Sequence, residues 1–176
     1  MDHTPVGLHA ALRALEDVVA PAVDPSSAQA RDQLRLVVDY LKFLSQRLDL
    51  LPERHRFELA HHLELARALK KVAPRGAAAG LENAITQGET VSTQAGATAK
   101  ALQGTTAVLA AAASRLVRAS GDFEPGVRDA IERVVLRASH DRVAFERAWY
   151  LPLGLDPDPH DVTPLSDLLP CRPTCD

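Results

Sequence analysis

The chain has 176 residues, 46% hydrophobic but only 4% aromatic, with a formal net charge of −3. That length leaves room for one ordinary domain. Acidic and basic residues interleave rather than form blocks, and no apolar run reaches the roughly 20 residues that span a bilayer, so the composition argues against nucleic acid and membranes as partners.

Alanine and leucine dominate, and no stretch alternates at period two, which predicts an all-helical chain. Both cysteines, Cys171 and Cys175, lie near the end of the chain, so a disulfide framework is not expected. The first residues show no basic head followed by an apolar run, which makes the cytoplasm the expected compartment.

Thr4 and Pro5 read as the cap and first residue of a short amphipathic helix, marked by Leu8, Leu12, Leu15, Val18 and Val19. Pro21 is expected to stop it near Ala20. Ser26 or Ser27 then caps a long helix. Leu34, Val37, Leu41, Leu44, Leu48 and Leu51 follow at spacings of three and four, a stripe close to a coiled-coil seam. Arg35, Asp39, Lys42, Gln46 and Asp49 fall on a charged stripe roughly 100° round from it. Pro52 opens the next helix, with Leu59, Leu63, Leu65, Ala66, Leu69, Val72 and Ala73 on a broad apolar face.

Together, residues 28–73 read as a helical hairpin. Each buried seam leucine contributes about 1.5–3 kcal/mol, whereas ordering each residue costs about 1–2 kcal/mol of backbone entropy. The hairpin has several times more residues than leucines, so other helices must cover it. The segment 86–101 is rich in Gly, Ala, Thr and Gln. It reads either as part of one long helix with a small-residue face or as a break or loop near Gly88 to Gly96, before a separate helix from about Ala97 to Ala119, and the break is preferred.

Asp122 or Glu124 caps the last long helix, whose stripe is Val127, Ile131, Val134, Ala138, Phe145 and Trp149. Beyond it the chain holds six of its 12 prolines, together with Asp156, Asp158 and Asp161. Its leucines distinguish it from a freely disordered tail.

Chemistry is sparse. Glu58 and His62 sit at i,i+4 on the apolar face of their helix, a spacing at which carboxylate and imidazole can meet. Such a couple suits general acid–base work or ligand binding, and more often is a paired polar couple at the edge of a core. Glu58 and His61 have the Glu-x-x-His spacing of di-iron bundles, but Arg137 stands where His140 would need its glutamate. Arg133, Arg137 and His140 share a face that would suit an anion, or else is a solvated face. Ser139, His140 and Asp141 are neighbours that point apart, not a triad. Cys171, Cys175 and His160 lack the C-x-x-C spacing and the fourth ligand of a zinc site.

The stretch Leu12 to Ala22, LRALEDVVAPA, precedes the leucine-rich helix containing Leu41-Lys42-Phe43-Leu44. In this it resembles small, uncharacterised all-helical bacterial proteins encoded beside acyl-CoA dehydrogenases and aminoglycoside-phosphotransferase-like kinases. The resemblance covers the first third of the chain. It implies an accessory protein for an acyl-CoA or phosphorylated-substrate pathway and carries no catalytic residues.

The resulting expectation is an all-α, antiparallel bundle of about five helices over residues 1–151, with a Pro-rich extended C-terminal arm over 152–176. The expected function is association, as a homo-oligomer or with a partner enzyme, with no catalytic residue and no cofactor. The alternative is a small-molecule or metal-binding bundle that uses Glu58 and His62.

Overall fold

The computed structural model describes residues 3–169 and is all-helical, at 83% helix, with no strand among the described residues. Six long helices account for most of it: α1 (Thr4–Ala14), α2 (Ala28–Arg47), α3 (Leu51–Val72), α4 (Ala79–Ser92), α5 (Ala99–Ala119) and α6 (Pro125–Tyr150). Among the described residues no helix is long and apolar enough to cross a membrane.

The chain divides into two compact units. The first comprises residues up to Leu51 together with Trp149–Val162; the second comprises Pro52–Ala148 together with the residues from Thr163. The expected partition into a bundle over 1–151 and an arm over 152–176 therefore differs from the compact units. So does the expected hairpin over 28–73. The division falls at the junction between its helices, and α2 and α3 serve different cores.

In the first unit, α1 does not stop at Ala20. It continues through a π-helical turn, Leu15–Val19, into Ala20–Ala22, with the Ala20 N–H donating to the Leu15 carbonyl. The wide turn takes the carbonyl four residues before Pro21 out of the register that the proline ring would strike. Ser27 stands at the N-cap of α2, but its side chain makes no capping bond, and Ser26 turns back instead to Asp24 at 2.7 Å.

The seam expected along α2 is partly covered: Leu34, Leu41, Leu44 and Leu48 are half-buried, and Val37 and Leu51 are exposed. Val38 and Phe43 are its buried residues, while Val37 is 49% exposed. Helix α1 packs on α2, and aromatic rings cover its C-terminal end, so two different neighbours claim two different sides of the helix. Phe43 lies 5.8 Å from Tyr40 and 5.4 Å from Tyr150, a ladder of three rings. Arg47 donates from Nε to the Trp149 carbonyl at 2.9 Å and lies over the indole at 5.5 Å. Lys42 binds Glu16 of the π turn at 2.6 Å. Leu12, Val38, Phe43 and Trp149 are the unit's buried apolar side chains among the described residues.

The second unit holds the main core. Leu59, Leu63, Ala66 and Leu69 of α3 recur at spacings of four and three and are all at most 4% exposed, as the periodicity predicts. They meet Leu81, Ala84 and Ile85 of α4, Leu102, Leu109, Ala112, Ala113 and Leu116 of α5, and Ile131 of α6. The Gly- and Thr-rich stretch is two helices with a break over residues 93–98, later than the expected Gly88–Gly96 because Gly88 packs inside α4; Thr98 caps α5 by accepting from the Ala101 N–H at 3.2 Å.

Gly88 shows why a glycine sits inside α4. A Cβ there would lie 3.0 Å from Leu63 and 3.1 Å from Leu109, so the two leucines occupy its place. After α6 the chain makes short turns at Leu151–Leu153 and Pro159–Asp161 and one helical turn at Leu165–Leu168. Gly154, at φ +69, reverses the chain after the first of them in a conformation that strains other residues.

These glycines make opposite predictions. Gly104, in the exposed middle of α5, has no atom near its would-be Cβ. Gly104→Ala should raise stability by about 0.5–1 kcal/mol. Gly88→Ala should lose that gain, and Gly88→Val should cost about 1–3 kcal/mol through overpacking. Urea unfolding of the three variants checks the order.

Candidate functional site

The polar cluster with the most internal structure lies in the second unit, where α3 meets α6. Helical spacing places Arg54, Phe57, Glu58, His61 and His62 within two turns of α3, and Arg142, Phe145 and Glu146 within about one turn of α6. Phe57 stacks on the buried Phe145 with centroids 3.7 Å apart. That apolar contact sets the stage for the charges around it.

Arg54, whose side chain is 14% exposed, lies over the Phe145 ring at 5.8 Å. Its Nε donates to Glu58 at 3.1 Å, and its Nη2 donates to both oxygens of Glu146 at 3.1 Å. Arg142 adds a 3.3 Å bond to Glu146. Both carboxylates are thus held by guanidinium groups and neither is poised as a base.

Glu58 and His62 do share a face of α3, but their side chains do not form a couple. The Glu58 carboxylate takes Arg54, while His62 Nδ1 lies 2.9 Å from the Glu58 backbone carbonyl, to which it donates. A closer cation captures the carboxylate, and the imidazole falls back on the main chain of the preceding turn. His62 borders an open groove of about 320 Å³ with Leu65, Ala113, Ser114, Val117, Arg118 and Val135.

His61 faces the other side. It stacks on Phe57 at 6.1 Å, meets the His62 ring edge-on at 5.4 Å, and borders a groove of about 270 Å³ with Leu65, Ala68, Val134, Arg137 and Asp141. Burial holds its pKa below the ordinary histidine value, helped by electrostatic repulsion from His62 and Arg142 and opposed by Asp141.

The anion-binding candidates Arg133, Arg137 and His140 are all exposed; Arg137 borders this groove, and His140 lies 3.7 Å from Asp141. Among the described residues no three His, Cys, Asp or Glu side chains gather where they could hold a metal ion, so Glu58 and His61 acquire no further ligands. His160 is exposed in the Pro159–Asp161 turn, and Cys171 and Cys175 lie outside the described residues.

Comparison of the chain with protein families, with curated proteins and with solved structures finds no match.

Two consequences are measurable. Arg54→Ala would take the guanidinium from Glu58 and leave Glu146 to Arg142 alone, beside a phenyl stack. It should cost about 2 kcal/mol in urea unfolding, below the roughly 3–5 kcal/mol of a fully buried pair because all three groups are partly solvated.

A histidine with a lowered folded pKa keeps its full contribution to stability above its unfolded value, near 6.5. The contribution falls as the unfolded chain alone takes up a proton, and levels once the folded pKa is passed. Stability of the wild type should therefore drop more steeply below about pH 6.5 than that of His61→Gln, as read from urea midpoints across that range.

Proposed function

We propose that this protein is non-enzymatic and works by association, through an uncharged strip on α2. The observation that carries this reading is the exposure of Leu36 at 53%, Val37 at 49% and Tyr40 at 52% on consecutive turns. The exposed Gln29 and Gln33 extend the strip at one end. At the other, Phe43 leads to Tyr150, itself 44% exposed, through the ring ladder. A contiguous apolar patch of this kind, unlike scattered surface leucines, marks a contact surface.

Energetics support the same reading. The first unit buries only four large apolar side chains of its own among the described residues, and a small unit with so little core is marginal alone. Covering the strip adds the apolar burial that it lacks. The partner class is a second copy of the chain or an enzyme that it assists, in the cytoplasm.

The short connections between the helices of the second unit favour consecutive antiparallel packing. The Pro-rich segment after α6 serves as an arm that lies along its own chain or a neighbour. The charge cluster around Arg54 reads as structural, since its two carboxylates are each held by a guanidinium.

Sedimentation velocity over a wide concentration range tests the reading. The wild type should form dimers or a higher oligomer, and Leu36→Glu with Tyr40→Glu should be monomeric at the same helical content. A wild type that stays monomeric at every concentration and has no enzyme partner in its native extract removes it.

A second reading keeps the groove beside His62, whose apolar floor and Arg118 suit a small amphiphilic anion. A thermal-shift screen that responds in the wild type and not in His62→Ala would favour it.

A further inference from the structure

The groove beside His62 is walled by α3, α5 and α6, and its polar groups lie towards opposite ends. Helices α3 and α5 run in the same direction: His55 meets Gln103 at 3.3 Å, and further along both helices Leu63 and Leu109 meet over Gly88. In that register His62 is level with the turn of Ala110, at one end of the groove, and Arg118 stands at the other. The rise along α5 from Ala110 to Arg118 is about 12 Å. Between the two ends the wall is apolar, formed by Leu65, Ala113, Val117 and Val135.

The polar groups of the groove are not engaged within the described chain. Arg118 makes no ion pair there, although Asp122 stands four residues on. Ser114, one turn before Arg118 on the same face, has no hydrogen bond among the described residues, whereas the Thr106 and Ser120 hydroxyls donate to main-chain carbonyls at 2.9 Å and 2.7 Å. His62 Nδ1 donates to the Glu58 carbonyl, so in the neutral ring Nδ1 holds the proton and Nε2 offers a lone pair. Among the described residues no carboxylate borders this groove, in contrast to the groove beside His61, which Glu64 and Asp141 border.

A guanidinium with a hydroxyl beside it suits a carboxylate, a lone pair suits a hydrogen-bond donor, and an apolar wall between them suits an uncharged body. We infer that this groove binds an elongated monocarboxylate that carries a hydroxyl at its far end. The carboxylate lies at Arg118 with Ser114 beside it, the alkyl body runs along the wall, and the hydroxyl donates to His62 Nε2. The inference rests on the reading of this groove as a site for a small amphiphilic anion, and it specifies the ligand's class and direction.

Isothermal titration calorimetry of the full-length chain with ω-hydroxyoctanoate, octanoate and octanediol tests it. Octanoate lacks the hydroxyl and octanediol lacks the carboxylate, so each should bind about tenfold more weakly than the hydroxy acid. Arg118→Gln should bring the hydroxy acid down to the affinity of the diol, and His62→Phe should bring it down to that of octanoate. Arg118 is exposed, so Arg118→Gln reports even where His62→Phe fails to fold.

If the acids bind but the hydroxyl adds nothing, or if Arg118→Gln changes nothing, the ligand class and direction are overturned while the amphiphile reading stands. If none of the three compounds binds, both fall.

Discussion

Burial of Leu59, Leu63, Ala66 and Leu69 on α3 is the constraint on which the second unit depends. Leu102, Thr105, Leu109, Ala112 and Leu116 of α5 form a second stripe at spacings of three and four, and residues from α4 and α6 complete one cluster around the two. The stripe also explains Gly88. Where Leu63 and Leu109 converge on α4, the space of a methyl group is already taken, and the helix yields its own side chain to keep the leucines packed.

The first unit is organised differently. Its few buried apolar groups are supplemented by directional contacts: rings stacked from Tyr40 to Tyr150, Arg47 bound to the Trp149 carbonyl, and Lys42 held by the π turn of α1. These contacts fix geometry but remove less apolar surface from water than a leucine core does. One side of α2 is satisfied within the chain and another is left in solvent. That imbalance connects the fold to the function proposed.

The charged cluster around Phe57 and Phe145 shows how far local spacing carries. Arg54 with Glu58, and Arg142 with Glu146, are i,i+4 pairs legible in the sequence, each of a kind that is usually weak and solvated. What joins them is the stacking of two phenyl rings from helices 88 residues apart in the chain, which carries Arg54 over to Glu146. The same contact withdraws Glu58 from His62, although those two share a helix face. Spacing shows which side chains can meet, and the nearest opposite charge decides which of them do.

The sequence by itself determined the helical class, the stripe of α3 and the apolar face of α6, and it favoured a break between α4 and α5 without fixing its start. Each of these follows from local periodicity, glycine content or capping chemistry, which act within a few residues. Only the tertiary structure decided that the chain divides at Leu51, that Val38 and Phe43 rather than Val37 are the buried residues of α2, and that Trp149 and Tyr150 belong with residues a hundred positions earlier. An amphipathic period states that a helix has a side to bury. It carries no record of which neighbour arrives to cover that side, because the free energy of that choice resides in contacts between segments far apart in the chain.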